Sequence, residues 1–349
     1  MDEVLCGLSA FRFHRIPPQV LMLCPPLTSV KKHDVLQHPL VQEILGSPLH
    51  ILVTDKKDRR KNLAVLTQLW SQPFPPEAIR ETMHDVQVTS PLFTLLLLAP
   101  KLSETHLAMA MFEFCGTFSV FKPSSHVEEA LRRSETERVF PRNFGWERVK
   151  DSSNKPTDLW RRPPLVDLDE LRDYAETIQG LYGSKKFRSA VKAVTGITAS
   201  PFEAQLSLLW RLPRRKGGKN LAGFSNNAEI RLTHQAKLVY PKLRCYGDLF
   251  WEGDDEHAPV DVECQGAVVH NDSTSFISDS DRITALSSMG IEVIPITYKQ
   301  IVSPSSFNAV SDLVAHKLGV KKRRNQCSDS ELERKLRQEL FIDWNTLGT

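Results

Sequence analysis

Hydrophobic residues in the first 125 positions come in short runs between polar turns, which predicts a mixed α/β domain. The runs VLMLC (20–24), HILVT (50–54) and VQVTS (86–90) are rich in β-branched residues and predict strands. Ser90-Pro91 begins an apolar stretch that continues through LAPKLSETHLAMAMFEF. Its Leu and Met residues recur at helical spacing, so we predict a pair of buried helices.

The pattern changes twice further along the chain. Residues 126–165 are rich in Pro, Ser and charged residues and predict a linker or long loops. From 166 to 300 the sequence predicts two helices, a third helix that begins at Ser200-Pro201, candidate strands NNAEIRL and QAKLVY, a hairpin, a helix with Gly290 at its C-cap and a strand IEVIPIT. We therefore expect an α/β domain over 166–300, with a mixed four- or five-stranded sheet flanked by helices, and a charged helical segment over 301–349.

Composition adds little to this picture. The 349 residues have 41% hydrophobic and 25% charged residues and a net charge of +3, which is too small to indicate a nucleic-acid partner by itself. Six cysteines without a C-x-x-C pair fit reduced thiols, and we expect a cytoplasmic protein. The run PLFTLLLLAP is about half the length that crosses a bilayer, so no membrane association is expected.

The hairpin YGDLFWEGDDEHAPVDVECQG, at 246–266, carries the candidate chemistry. Asp248 lies on its first strand, and Glu263 and Gln265 lie two apart on the second, hence on one face. Two carboxylates and the carbonyl of Cys264 could bind a divalent metal, and Gln265 could orient a water. The alternative is that these side chains are solvated residues on the open face of an antiparallel hairpin.

Residues 200–297 also resemble a known family in an ordered set of motifs. The matching pieces are SPFE at a helix start, Gly247-Asp248, VDVECQG, His270, Asp279, Arg282, Leu286, Gly290 and VIPIT. This set is similar to the very-short-patch-repair-like endonuclease family of unknown function, in the PD-(D/E)xK nuclease superfamily. The resemblance implies a restriction-endonuclease-like fold, Mg²⁺ or Mn²⁺ at Asp248 and Glu263, assistance from Glu203 and His270, and DNA as the substrate.

Several positions carry a second interpretation. Gln265 stands where the superfamily usually has a lysine, and a glutamine can only hydrogen-bond. Asp261, two residues before Glu263, is a hypothetical source of the missing charge. Glu203 with Ser200 fits a helix capping box, which needs no function. Arg282 could contact phosphate, or pair with Asp279 at i, i+3 on one helix.

A basic segment precedes the hairpin. Arg214, Arg215, Lys216 and Lys219 surround Gly217-Gly218, and no acid occurs from 211 to 220. We predict a flexible cationic loop that binds backbone phosphates of DNA, with a merely solvated loop as the alternative.

The first 125 residues resemble AbiEi-type antitoxin and regulator proteins of bacteria. The matching residues are Ser90, Pro91, Leu95, Ala99, Glu113, Cys115 and Gly116. The resemblance implies a regulatory role or a protein partner for this half. The residues themselves give no helix-turn-helix, so they do not predict sequence-specific DNA reading.

The sequence thus favours a metal-dependent endonuclease that hydrolyses DNA phosphodiester bonds. The alternative is a catalytically silent nuclease fold that binds DNA or acts as a regulator in a toxin–antitoxin or defence system. A small-molecule enzyme finds no support, because the chain has no G-x-G-x-x-G, no P-loop and no nucleophile elbow.

Overall fold

The chain divides into two units in the computed structural model, which describes residues 4–23, 39–59, 61–82, 86–137, 145–266, 273–320 and 327–348. Unit 1 contains Met1–Arg148, Asp158–Lys192 and Asp343–Thr349, and unit 2 contains Val149–Thr157 and Ala193–Ile342. Both are mixed α/β structures in which helices flank the sheets. The boundaries at 125, 165 and 300 remain predictions.

The first part of unit 1 is built on a five-stranded mixed sheet in the order β3-β2-β1-β5-β4. Strand β1 runs antiparallel to β2 and parallel to β5, β3 runs parallel to β2, and β4 runs antiparallel to β5. Strands β2 and β5 confirm two of the three predicted strands. The strands are β1 (Val4–Leu5), β2 (Leu49–Val53), β3 (Val65–Leu69), β4 (Ile79–Glu81) and β5 (Gln87–Thr89).

Eight helices of unit 1 are described, and two of them confirm the predicted buried pair. Ser90 and Ser103 cap these two, since each hydroxyl accepts a backbone N–H of the first turn, and both helices are buried along almost their whole length. The described residues contain no helix with the length and apolarity that a bilayer span needs. The eight are α1 (Gly7–Arg15), α2 (Pro18–Leu21), α3 (Pro39–Leu45), α4 (Pro91–Leu98), α5 (Glu104–Cys115), α6 (Ser125–Thr136), α7 (Leu168–Thr177) and α8 (Ser184–Val191).

Two sequence predictions in this half are wrong. VLMLC at 20–24 does not form a strand where it is described, because Pro17 and Pro18 start the short helix α2 there. The segment 126–165 is not loop throughout. Val127 and Leu131 are buried on one face of α6, and two strands of the segment, β7 and β8, join β6 in a three-stranded sheet in the order β6-β8-β7. Its strands are β6 (Phe118–Val120), β7 (Glu147–Lys150) and β8 (Pro156–Arg161).

A buried ion pair holds unit 1 together. Arg15 Nε donates to Glu113 Oε1 at 2.8 Å, and Trp344 Nε1 donates to Glu113 Oε2 at 2.6 Å. Ser119 Oγ and the Val120 N–H also donate to Glu113 Oε1. Because the Glu113 side chain is fully enclosed, these bonds replace its lost hydration and bind the chain's last described residues to its first helix.

Unit 2 contains a four-stranded mixed sheet in the order β12-β11-β10-β9. The first three strands along the chain form an antiparallel meander, and β12 joins β11 in parallel. This confirms the mixed four-stranded sheet and the hairpin. The strands are β9 (Phe224–Arg231), β10 (Arg244–Trp251), β11 (Val260–Gln265) and β12 (Glu292–Thr297).

Helices precede, cover and follow this sheet in the predicted order, with one exception. QAKLVY is not a strand: it lies in α10 and at the C-terminal end of that helix, which Thr233 caps. Ala236 and Tyr240, four residues apart, are buried, whereas Leu238 is exposed, as the period of a helix requires. The helices of unit 2 are α9 (Pro201–Arg211), α10 (His234–Val239), α11 (Ser273–Ser288), α12 (Tyr298–Val302), α13 (Pro304–Lys317) and α14 (Cys327–Leu340).

The ion pair in unit 1 predicts a large effect of one substitution. Glu113→Gln leaves the buried Arg15 charge without a counter-ion, so we expect the free energy of unfolding of unit 1 to fall by about 3–5 kcal/mol. Glu129→Gln removes a carboxylate that pairs with Arg133 on the exposed face of α6, where water screens the pair, so it should leave this free energy nearly unchanged. Urea unfolding followed by tryptophan fluorescence measures both; equal shifts would show that the Glu113 pair is not a main support of this unit.

Candidate metal and nucleic-acid site

Strands β10 and β11 bring Asp248 and Glu263 side by side. Leu249 pairs with Val262 and Phe250 with Asp261, and the same register continued by one residue sets Asp248 opposite Glu263. The Cys264 backbone N–H donates to Asp248 Oδ2 at 2.7 Å. The half-buried Asp248 carboxylate is therefore fixed against the neighbouring strand.

Glu263 is buried and forms an ion pair. Its Oε2 accepts from Arg282 Nη2 at 2.6 Å, while its Oε1 is buried without a hydrogen-bond partner. Arg282 comes from α11 and also donates to the Tyr246 carbonyl at 3.2 Å. The expected i, i+3 partner of Arg282, the Asp279 side chain, lies outside what the structure describes.

Glu203 has the capping role that its position in the sequence allows. Ser200 caps α9, and Ser200 Oγ donates to Glu203 Oε1 at 2.8 Å. The Ala199 N–H donates to Glu203 Oε2 at 2.7 Å, one residue before the position of a regular capping box. Burial raises the pKa of Glu203, and repulsion from Glu263 raises it further. Glu203 is thus both a cap and a neighbour of the strand carboxylates.

Asp261 is a third acid of the sheet, and it is completely buried. Neither of its carboxylate oxygens accepts from a described donor group, and its protonated form can donate to Glu263. A Cβ placed on Gly247 would lie 2.4 Å from Asp261 Oδ1, so only glycine leaves space for this carboxylate on β10. Burial, followed by repulsion from Glu263, raises the pKa of Asp261 to about 9.

At Asp248 and Asp261, burial and the neighbouring carboxylates raise the pKa more than the nearby cation lowers it. Burial raises the pKa of Asp248 well above its ordinary value, and Glu203 and Glu263 raise it further by repulsion. Arg282 lowers the pKa of both Asp248 and Asp261, but it supplies one positive charge. The cluster of Glu203, Asp248, Asp261 and Glu263 therefore lacks positive charge, and it can gain it from protons or from a bound cation.

The other residues predicted for the metal site do not join this carboxylate cluster in the described part of the chain. The Gln265 side chain is exposed at the end of β11, and the Cys264 carbonyl already accepts from the Gly266 N–H at 3.0 Å. His270 lies outside the described residues. In the part of the chain that the structure describes, no three His, Cys, Asp or Glu side chains are arranged to hold a metal ion.

The basic segment at 214–219 is an ordered turn, so the expectation of a flexible loop is wrong. Arg214–Lys216 form a 3-10 turn, and Gly217, at φ +86°, packs so closely on α14 that a Cβ would lie 2.3 Å from the Leu332 carbonyl oxygen. Lys219 Nζ pairs with Glu333 Oε2 at 2.6 Å and lies over the Phe307 ring. Lys219 therefore holds the turn in place, and Arg215 is exposed on it.

Asn226 is a site residue that the sequence analysis did not identify. Its Nδ2 donates to the Asp248 carbonyl at 3.0 Å and to Ser207 Oγ at 2.9 Å, and its Oδ1 accepts from Thr195 Oγ1. It thereby ties the backbone of β10 at Asp248 to helix α9. The signal in the sequence is the pair Asn226-Asn227 inside a predicted strand, because asparagine is uncommon there. In the structure Asn227 has φ +50°.

Comparison of this chain with protein-family models, with characterised proteins and with solved structures gives no match in any of the three. The geometry of the carboxylate cluster therefore stands on its own.

The close approach of Gly247 and Asp261 predicts a compensating pair of substitutions. Gly247→Ala should lower the free energy of unfolding of unit 2 by about 1–3 kcal/mol, because the new methyl group overlaps the Asp261 carboxylate. Adding Asp261→Ala should recover most of that loss. A double-mutant cycle by urea unfolding measures the coupling, and strictly additive losses would contradict the contact.

The raised pKa of Asp261 predicts a pH dependence with a definite sign. The folded chain keeps this proton up to about pH 9, whereas the unfolded chain loses it near 3.8, the ordinary pKa of an aspartic acid. The unfolded state therefore binds fewer protons between these values, and stability falls as pH rises through this window. Asp261→Asn, which mimics the neutral acid, should be less sensitive: its stability relative to wild type should grow from pH 5 to pH 8. Parallel profiles of the two proteins would contradict the assignment.

Proposed function

We propose that unit 2 is a metal-dependent endonuclease that hydrolyses phosphodiester bonds of DNA. The observation that carries the proposal is the buried carboxylate cluster, in which Asp248 and Glu263 meet on adjacent strands with too little positive charge around them. A buried anionic cluster of this kind is stabilised by a cation, and carboxylate oxygens are the donors that Mg²⁺ and Mn²⁺ prefer.

The order of elements supports the same proposal. Helix α9 is followed by the meander β9-β10-β11, with the short helix α10 between β9 and β10, and then by α11 and by β12 parallel to β11. With α10 taken as an insertion in the meander, this α-β-β-β-α-β order fits a restriction-endonuclease-like core with the carboxylates on its two central strands. We propose that fold for unit 2, on the basis of this order and of the motif resemblance over 200–297.

The donor chemistry suits a divalent cation, but in the described part of the chain the side chains would have to rearrange to surround one ion. Asp248 and Glu263 would hold the ion, and the unpartnered Glu263 Oε1 and Asp261 oxygens are the buried acceptors that a cation would satisfy. The bound ion would supply a Lewis acid and a water of lowered pKa. Glu203, anchored at the start of α9 by the Ala199 N–H and the Ser200 hydroxyl, adds a further carboxylate beside this pair.

Arg282 takes over the charge that Gln265 does not provide. Its guanidinium reaches Glu263 from α11, is always protonated and can bind phosphate oxygens through two N–H groups. Contact with a phosphate would draw it away from Glu263 and leave that carboxylate for the cation. Gln265, which is exposed at the end of β11, would donate a hydrogen bond to a water or to a phosphate oxygen.

The ordered basic turn supplies a surface for the DNA backbone. Arg214, Arg215 and Lys216 lie together on it, and the Lys219–Glu333 pair fixes its position. Fixed guanidinium and ammonium groups bind phosphates without reading sequence. We assign Lys219 to positioning the turn rather than to binding DNA.

A second candidate function has its own support. The Glu263–Arg282 pair occupies one of the two proposed metal ligands, and Gln265 replaces the usual lysine. These features favour a catalytically silent nuclease fold that binds DNA or a regulatory partner, the partner through unit 1. It differs from the first proposal in needing no metal.

Cleavage assays on the whole 349-residue chain distinguish the two proposed functions. We expect Mg²⁺- or Mn²⁺-dependent nicking of supercoiled plasmid DNA, lowered at least about 100-fold in Asp248→Asn and in Glu263→Gln because each removes a ligand charge. Glu229→Gln, which removes an exposed acid of β9 paired with Arg244, is the matched control and should cut normally.

A different set of results would contradict the endonuclease proposal. DNA binding that survives Asp248→Asn and Glu263→Gln, without metal-dependent cleavage by the wild type on plasmid, linear or single-stranded DNA, would replace the endonuclease by the silent binding protein.

A further inference from the structure

Unit 1 contains a cleft that the proposed nuclease does not use. Its volume is about 580 Å³, within the range of small-molecule sites. One wall is the edge strand β3 with the residues that follow it, and the other is the end of helix α4 with Pro100 and Lys101. No aspartate or glutamate is among the described residues that line it.

Three polar side chains converge at one end of the cleft. Lys101 Nζ donates to Gln68 Oε1 at 3.0 Å, and Gln68 Nε2 is held by the Leu97 carbonyl at 3.3 Å. The place where they meet lies over Gly7, the first residue of α1. A Cβ on Gly7 would lie 3.0 Å from Gln68 Oε1, 3.1 Å from His50 Nδ1 and 3.7 Å from Lys101 Nζ. Gly7, at φ +49°, thus leaves this end of the cleft open.

His50 has a defined role in this group. Its Nδ1 accepts the Leu8 N–H at 3.4 Å, which leaves the ring proton on Nε2 as a donor. Burial lowers the pKa of His50 to about 4, and Lys101 lowers it further by repulsion, so the ring is neutral near pH 7. Both Lys101 and His50 therefore present donors, with no carboxylate beside them in the cleft.

The rest of the cleft is largely apolar. Leu66, Leu69, Trp70 and Leu97 line it, and Tyr182 stands at its edge with 72% of its surface exposed. An exposed tyrosine beside a buried tryptophan can cover a flat apolar group. Arg59 adds a further positive charge to the lining.

We propose that this cleft binds a small organic anion. Its carboxylate or phosphate group accepts from Lys101 Nζ and from the Nε2 of His50, while Gln68 Oε1 accepts from Lys101 and positions that ammonium. Its apolar part lies along Trp70 and Leu97. The anion supplies the counter-charge that the lining does not give to Lys101. The carboxylate and the phosphate share this chemistry, so the test must separate them.

Isothermal titration of the full chain with phenyl phosphate, benzoate and phenol is the test. We expect heat from at least one of the two anions and none from neutral phenol. Lys101→Met should weaken that binding roughly tenfold or more, because a charge-assisted hydrogen bond is lost. Lys101→Arg should retain most of it. Lys122→Met, which removes an exposed lysine of unit 1 outside the cleft, should bind like wild type.

The relative affinities of phenyl phosphate and benzoate identify which anion the cleft prefers. Absence of heat with both anions at millimolar concentration would overturn the proposal. An equal loss in the Lys101→Met and Lys122→Met proteins would overturn it too, because binding would then reflect net charge rather than this cleft. Circular dichroism of each variant confirms that the comparison is made between folded proteins, and Gln68→Met gives a second disruption of the same end.

Discussion

The shortage of positive charge among four buried carboxylates is the constraint on which the rest of unit 2 depends. Asp248, Asp261 and Glu263 come from two adjacent strands, and Glu203 comes from the helix before them. Burying like charges is costly unless protons, a cation or hydrogen bonds compensate. Arg282 supplies one compensating charge, and backbone N–H groups satisfy Asp248 and Glu203 in part. The remaining imbalance is a cost in stability, and perturbed carboxylates of this kind are concentrated at functional sites.

Three contacts hold the four carboxylates together despite the repulsion between them. Ser200 caps α9 and fixes Glu203, Gly247 leaves space for the Asp261 carboxylate, and Asn226 ties the backbone at Asp248 to α9. The Ser200–Glu203 contact is local in sequence, whereas the other two join neighbouring elements. Together they leave the acids little freedom to separate. In unit 1 the opposite solution is found: the buried Glu113 carboxylate has its hydrogen bonds and its charge satisfied, and it serves as a structural tie.

The sequence predicted most of what local patterning controls. Strand β2 follows from its β-branched residues, β11 from the alternation in VDVECQ, and the capped helices α4 and α9 from their Ser-Pro starts. The prediction of a strand at QAKLVY is wrong because six residues of mixed polarity fit the period of a strand as well as that of a helix. The Thr233 cap favours the helix. The neighbourhood of Asp248, Glu263 and Glu203 could be expected from hairpin register and motif order. The bond from Arg282 to Glu263, the burial of Asp261 and the role of Lys219 could not, since each depends on the packing of elements far apart in sequence.

The most direct test of the central claim is whether the cluster takes up a divalent cation in exchange for protons. Calorimetric titration with Mn²⁺ at pH 7, in two buffers of different ionisation enthalpy, measures the affinity and the protons released together. We predict that a single Mn²⁺ binds per chain with net proton release, and that Asp248→Asn abolishes binding. No saturable binding by the wild-type chain, or binding that Asp248→Asn leaves unchanged, would contradict the account.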